Sequence, residues 1–118
     1  MPEIPESAKP ALDMLRGVGG DDMVAMLLKT FMQFADERVD KLAEEAHNTR
    51  WSEVASIAHA IKSSARQLGA LTLSDACAAV ELAGRANDSV ASLTGVAAIQ
   101  REYKDARAWM LEAAGGSL

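Results

Sequence analysis

The chain has 118 residues, a formal net charge of −5, 49% hydrophobic residues and only 4% aromatic ones. That length holds one core and not two. An acidic chain with no Lys/Arg block interleaved with aromatics excludes a general phosphate-backbone binder, so nucleic acid is not an expected partner.

A core short of aromatics must be aliphatic, and its Ala, Leu and Met favour helix. Cys77 is the only cysteine, which rules out an intrachain disulfide and fits a reducing cytoplasm. The N-terminus has no basic start and no apolar run, so it is not read as a signal peptide. The longest apolar runs, such as Met23 to Leu28, fall far short of a membrane span, and no membrane association is expected.

In chain order, residues 1–7 carry two prolines and two glutamates and read as a flexible tail. Pro10 suits the first turn of a short helix with Leu12, Leu15 and Val18 on its buried edge, ended by Gly17, Gly19 and Gly20. Asp21 is a good N-cap for the longest helix, which runs to about His47. Val24, Leu27, Leu28, Phe31, Ala35, Leu42 and Ala46 form its stripe, and Met23, Met26 and Met32 fall beside or outside it. The methionines are flexible edge packing or a soft patch where a partner docks. Asp36-Glu37-Arg38 and Glu44-Glu45 read as a solvated face, and His47 as a residue favoured by the helix C-terminus.

Asn48-Thr49-Arg50 is a short connection offering two candidate caps, so the next helix is antiparallel to the long one. That helix opens at Trp51 and closes at Gly69. Thr72 to Asp75 resembles a capping box for a third helix to about Ala86, which buries Leu73, Ala76, Cys77, Val80 and Ala83. A turn at Asn87-Asp88-Ser89 leads to a last helix starting between Ser89 and Gly95, with Val96, Ile99, Tyr103, Ala106 and Met110 as its stripe. Gly115-Gly116 ends it, and 115–118 is a C-terminal tail. The expected fold is all-α: an antiparallel four-helix bundle with a short additional N-terminal helix, one domain over 8–114.

The informative stretch is Ser52 to Leu68. Val54, Ile57, Ala58, Ile61, Ala65 and Leu68 make its apolar stripe, and His59 points roughly 140° away from the centre of that stripe. Its neighbours one turn away are Ala55, Ser56, Lys62 and Ser63, with Arg66 a further turn on. The stripe is complete without His59, which disfavours a core role. A neutral imidazole is a nucleophile near neutral pH. A phosphoryl group on its ring would bring about two negative charges. Lys62 could reach those oxygens and Arg66 steer them, and no Asp or Glu occupies the adjacent turn to repel them. The reading fails if the ring is tucked into the bundle interior, or if the Lys62 amine is aimed elsewhere and locked by a carboxylate.

The run Ala58-His59-Ala60-Ile61-Lys62-Ser63-Ser64 through Leu68-Gly69-Ala70 closely resembles the phosphoacceptor motif of histidine-containing phosphotransfer (HPt) domains. Gly19-Gly20-Asp21 resembles the family's break before its long helix, Trp51 its aromatic after the turn, and Cys77 with Val80-Glu81 its fourth helix. The likeness extends from about Leu12 to Ala114. It implies a carrier that takes a phosphoryl group on His59, by Nε2, from an aspartate of one receiver domain and passes it to another, with Lys62 as the stabilising cation. Response-regulator receivers and a hybrid histidine kinase are the implied partners, with Mg²⁺ on the receiver and no cofactor on this chain.

Serine stands at Ser63 where the family usually has glycine, so closeness of approach and partner choice depend on it, or its hydroxyl bonds the phosphate. Gln67 lies to one side. Ala55, Ala60 and Met26 are the expected docking surface. Without a glycine-rich nucleotide loop or a carboxylate cluster for Mg²⁺, the chain is read as a cytoplasmic, monomeric carrier and not an enzyme with its own ATP site. The alternative from another class is an unphosphorylated adaptor or inhibitor that binds receiver or kinase domains through the same face. A zinc site is not expected, since His47 and His59 lack ligand spacing, and Cys77 reads as a small core residue.

Overall fold

Helices α1 (Lys9–His47), α2 (Trp51–Gln67), α3 (Leu71–Arg85) and α4 (Ser89–Ala113) follow a single 3-10 turn at Glu6–Ala8. They account for nearly all of residues 3–115, the part that the computed structural model describes, and no strand occurs among those residues. Each helix packs on its chain neighbours and α1 closes the ring against α4, giving the expected up-down bundle. Leu28, Met32, Leu42, Val54, Ile61, Leu73, Val80, Ile99 and Met110 fill its centre.

The three connections close by one device. The carbonyls of Glu45, Ala65 and Ala83 accept from the N–H groups of Arg50, Ala70 and Asp88, and those of Ala46, Arg66 and Gly84 from Thr49, Gly69 and Asn87. This is the Schellman pattern, which needs a left-handed residue just past the helix end. Thr49 (φ 56°), Gly69 (φ 78°) and Asn87 (φ 53°) supply it. At Gly69 a Cβ would also stand 2.7 Å from the Cα of Ala8, so the N-terminal segment seals that end only against a glycine.

Several sequence expectations are corrected. The short first helix and the long second one are continuous as α1, kinked where Gly20 alone leaves helical geometry (φ 76°, ψ −172°). The Asp21 carboxylate accepts from Arg16 Nε at 2.7 Å across the kink. Val18 is exposed and not a buried edge, whereas Met32 is fully buried. Because α1 packs on both α2 and α4, its buried arc is wider than one stripe. α3 begins at Leu71 with no side-chain cap, so the Thr72–Asp75 box is not formed. The Schellman turn delivers the chain straight into the helix, and Ser74 is buried with its hydroxyl donating to the Lys62 carbonyl. Asp88 does cap α4, accepting from the Ala91 N–H at 3.0 Å. Gly95 lies inside α4, where a Cβ would meet Val80 at 2.5 Å.

Glu45 does not belong to a solvated face: it is 3% exposed, with Oε1 between Lys41 and Arg50 at 3.4 and 3.5 Å. Asp36 ties α1 to α4, receiving Arg107 through both carboxylate oxygens and the Tyr103 hydroxyl. Within the expected N-terminal tail, Ile4 packs on the core. Met1, Pro2 and residues 116–118, including the expected stop at Gly116, lie outside the described residues. Among the described residues no helix is long and apolar enough to cross a membrane.

Candidate functional site

The buried stripe of α2, Val54, Ala58, Ile61 and Ala65, turns the residue after Ala58 outward. His59 accordingly stands in the middle of the helix with its side chain 54% exposed. It is not left to solvent alone. α3 lies against α2, and its Glu81 is a buried carboxylate, 5% exposed, at the seam.

Glu81 gathers the site. Its Oε1 accepts from Lys62 Nζ at 2.6 Å, and its Oε2 faces His59 Nδ1 at 3.0 Å and Arg85 Nη2 at 2.6 Å. The Lys62 hydrogen bond, with His59 and Arg85 adding to it, holds the Glu81 carboxyl below its usual range despite burial. An ionised carboxylate only accepts, so the nitrogen facing it carries the proton. In the neutral ring Nδ1–H therefore donates to Glu81, and Nε2, on the opposite side of the imidazole, keeps its lone pair.

This corrects two expectations. A carboxylate does approach the ring, from another helix and not from the adjacent turn. Lys62 is locked by a carboxylate, its ammonium, 27% exposed, being bound to Glu81, yet it is not aimed elsewhere, because the same carboxylate faces the ring. The lock has a local reason: the same carboxylate serves the imidazole, and a buried carboxylate needs compensating charge.

The remaining expected residues divide. The Ser63 hydroxyl donates to the His59 carbonyl at 3.2 Å, a turn back along its own helix, and is not turned to the ring. Arg66 is exposed beyond Lys62 and does not join the Glu81 cluster. Gln67 lines a separate apolar cavity of about 310 Å³ with Leu15, Phe31, Phe34 and Ser64. Met26 is 57% exposed and Ala60 half-buried, but Ala55, expected on the docking surface, is 2% exposed. It is pressed under α3, where a Cβ on Gly84 would come within 3.0 Å of the Ala55 Cβ.

Sequence reasoning assigned no role to Glu81 or Arg85. The signal for Glu81 was present: a carboxylate among Cys77, Val80 and Gly84 on the core-facing side of α3 needs a cationic partner. Among the described residues no group of three or more His, Cys, Asp or Glu could hold a metal ion. Burial raises the Cys77 thiol to about 12, which leaves it an inert core residue.

The sequence matches the Hpt domain family over residues 26–109. Among solved structures, the chain is similar to the crystal structure of histidine-containing phosphotransfer protein B (HptB) from Pseudomonas aeruginosa PAO1. The TM-score is 0.88 and the identity 21%, over 98% of this chain and 100% of that one. That likeness shows a shared fold. No curated protein matches the sequence.

Proposed function

The chain belongs to the Hpt domain family, the phosphotransfer modules of phosphorelays, and we propose that His59 is its phosphoacceptor. The observation that carries this reading is the Glu81 contact, which keeps the proton on Nδ1 and leaves the lone pair on Nε2 of a half-exposed ring. In the transfer, Nε2 attacks the phosphorus of a receiver's aspartyl phosphate. The Nε2–P bond forms as the P–O bond breaks, and the aspartate leaves as a carboxylate. The ring acquires positive charge in that step, and Nδ1–H stays donated to a carboxylate that stabilises it. Onward transfer is the reverse, with a second receiver's aspartate as nucleophile.

Lys62 holds the Glu81 carboxylate and keeps the field beside Nε2 positive, stabilising the phosphoryl oxygens. Mg²⁺ belongs to the receiver, which supplies most of the transition-state stabilisation. The partners are response-regulator receivers and a hybrid histidine kinase, met by a cytoplasmic monomer that itself binds no cofactor, nucleic acid or membrane.

The test mixes the protein with a receiver domain loaded from radiolabelled acetyl phosphate in Mg²⁺. Alkali-stable, acid-labile label on this chain that is lost in His59→Gln supports the carrier. No transfer across a broad receiver panel supports the unphosphorylated adaptor instead.

A further inference from the structure

Leu27, Thr30, Phe31 and Phe34 share one face of α1, and Ser64, Gln67 and Leu68 share one face at the end of α2, by their three- and four-residue spacings. The two faces do not close on each other. Between them, with Leu15 as a further wall, lies the apolar cavity of about 310 Å³. Packed helices rarely leave voids larger than a water molecule, and this one has the size of a small-molecule site.

Its walls define what fits. Phe31 and Phe34, tilted at 43° with ring centroids 6.5 Å apart, offer aromatic surface beside the leucines. No charged side chain lines the cavity: Arg38 stands over the Phe34 ring, 5.2 Å from its centroid, and is not part of the wall. A charged ligand would therefore lose hydration without compensation. The polar exceptions are the Thr30 and Ser64 hydroxyls and the Gln67 amide. Among the described residues none of these three side chains hydrogen-bonds to another group of the chain. A cavity of roughly 150 Å³ lined by Leu, Ile and Phe holds benzene, so about twice that volume suits two fused rings.

We propose that this cavity is a binding site for a neutral two-ring apolar molecule carrying a hydrogen-bonding group, which Thr30, Ser64 or Gln67 receives. The site does not depend on His59 being the acceptor. Leu15 precedes the kink at Gly20 and the other α1 walls follow it. A bound molecule thus touches both parts of α1 and ties residues 9–19 to α2.

The test titrates the full chain with 2-naphthol, a neutral two-ring phenol, and follows backbone amides by NMR. Saturable shifts are expected at Leu15, Thr30, Phe34, Ser64 and Gln67. 2-Naphthoate, the same rings with a carboxylate, is expected to bind at least about tenfold more weakly. Leu27→Trp fills the cavity and should abolish saturable binding at wild-type helix content. Ser64→Ala is expected to weaken binding about threefold, and it keeps the test open should Leu27→Trp unfold the chain. At ten times the dissociation constant of 2-naphthol, amide exchange in residues 9–19 should slow about tenfold, since the segment releases the ligand before it opens. No saturable shift, wild-type affinity in either variant, or 2-naphthoate binding as tightly as 2-naphthol overturns the site. Shifts at these amides with a receiver domain but not with 2-naphthol assign the cavity to a protein partner and overturn it as well.

Discussion

The Nδ1 nitrogen of His59 lies 3.0 Å from Oε2 of Glu81, a residue on the neighbouring helix. One contact thereby sets which ring nitrogen is free and where the imidazole points. Glu81→Ala removes the acceptor. Nitrogen NMR of the imidazole is expected to show the Nδ1–H tautomer in wild type and a shift toward Nε2–H in the variant. Transfer from a receiver should slow about tenfold or more. An unchanged tautomer would separate Glu81 from the chemistry.

Lys62→Ala leaves Glu81 with His59 and Arg85 only, and removes the ammonium nearest the C-terminal side of the ring. Receiver-dependent transfer is expected to slow while helix content by circular dichroism stays at the wild-type level, because the lysine side chain fills no core position. Wild-type transfer rates would remove its assigned role.

Acid should loosen the bundle through two carboxylates. Glu81 is held below its ordinary range chiefly by the Lys62 hydrogen bond, and Asp36 chiefly by that of Arg107. A carboxyl with a lower folded value binds fewer protons folded than unfolded, so its contribution is full above the unfolded value, about pH 4. It is lost as pH falls through the folded value. Urea midpoints are expected to drop between neutral pH and about pH 3, and to drop less in Glu81→Gln, which lacks one of the two groups. Equal drops in both proteins would dissociate Glu81 from acid stability.

Two glycines should respond oppositely to alanine. At Gly84 a Cβ would stand 2.7 Å from the Trp51 carbonyl, which cannot yield without moving α2 from α3. Gly84→Ala is expected to destabilise by about 1–3 kcal/mol and to slow loading of His59, whose partner Glu81 lies one turn away. At Gly17 a Cβ meets nothing within 4 Å, and helical Gly17→Ala should stabilise by about 0.5–1 kcal/mol. Denaturant titrations give both signs.

Tyr103→Phe keeps the ring packed edge-on to Phe31 but deletes the hydroxyl shared between the Met32 carbonyl and Asp36. A loss of about 1–2 kcal/mol is expected by chemical denaturation. Phosphoryl loading by phosphoramidate should be unchanged, since the network joins α1 to α4 and does not touch α2.

The helices, their order and the outward azimuth of His59 were legible because apolar periodicity is a local property: Val54, Ala58, Ile61 and Ala65 state their own face. The motif around His59 and Lys62 carried the family resemblance for the same reason. Where two helices meet, such reasoning failed. Ala55 looked available on its own helix and is covered by Gly84 of another, and Met32 lay outside one stripe but inside an arc that faces two neighbours.

By itself, then, the sequence determined a helical bundle, which imidazole faces outward and which lysine accompanies it. Only the tertiary structure decided that Glu81 binds both and that Arg85 shares the carboxylate oxygen that faces the imidazole. The reason is physical. Charge on one helix is compensated by charge on another, and no spacing within a single helix records which side chain will arrive from across the seam.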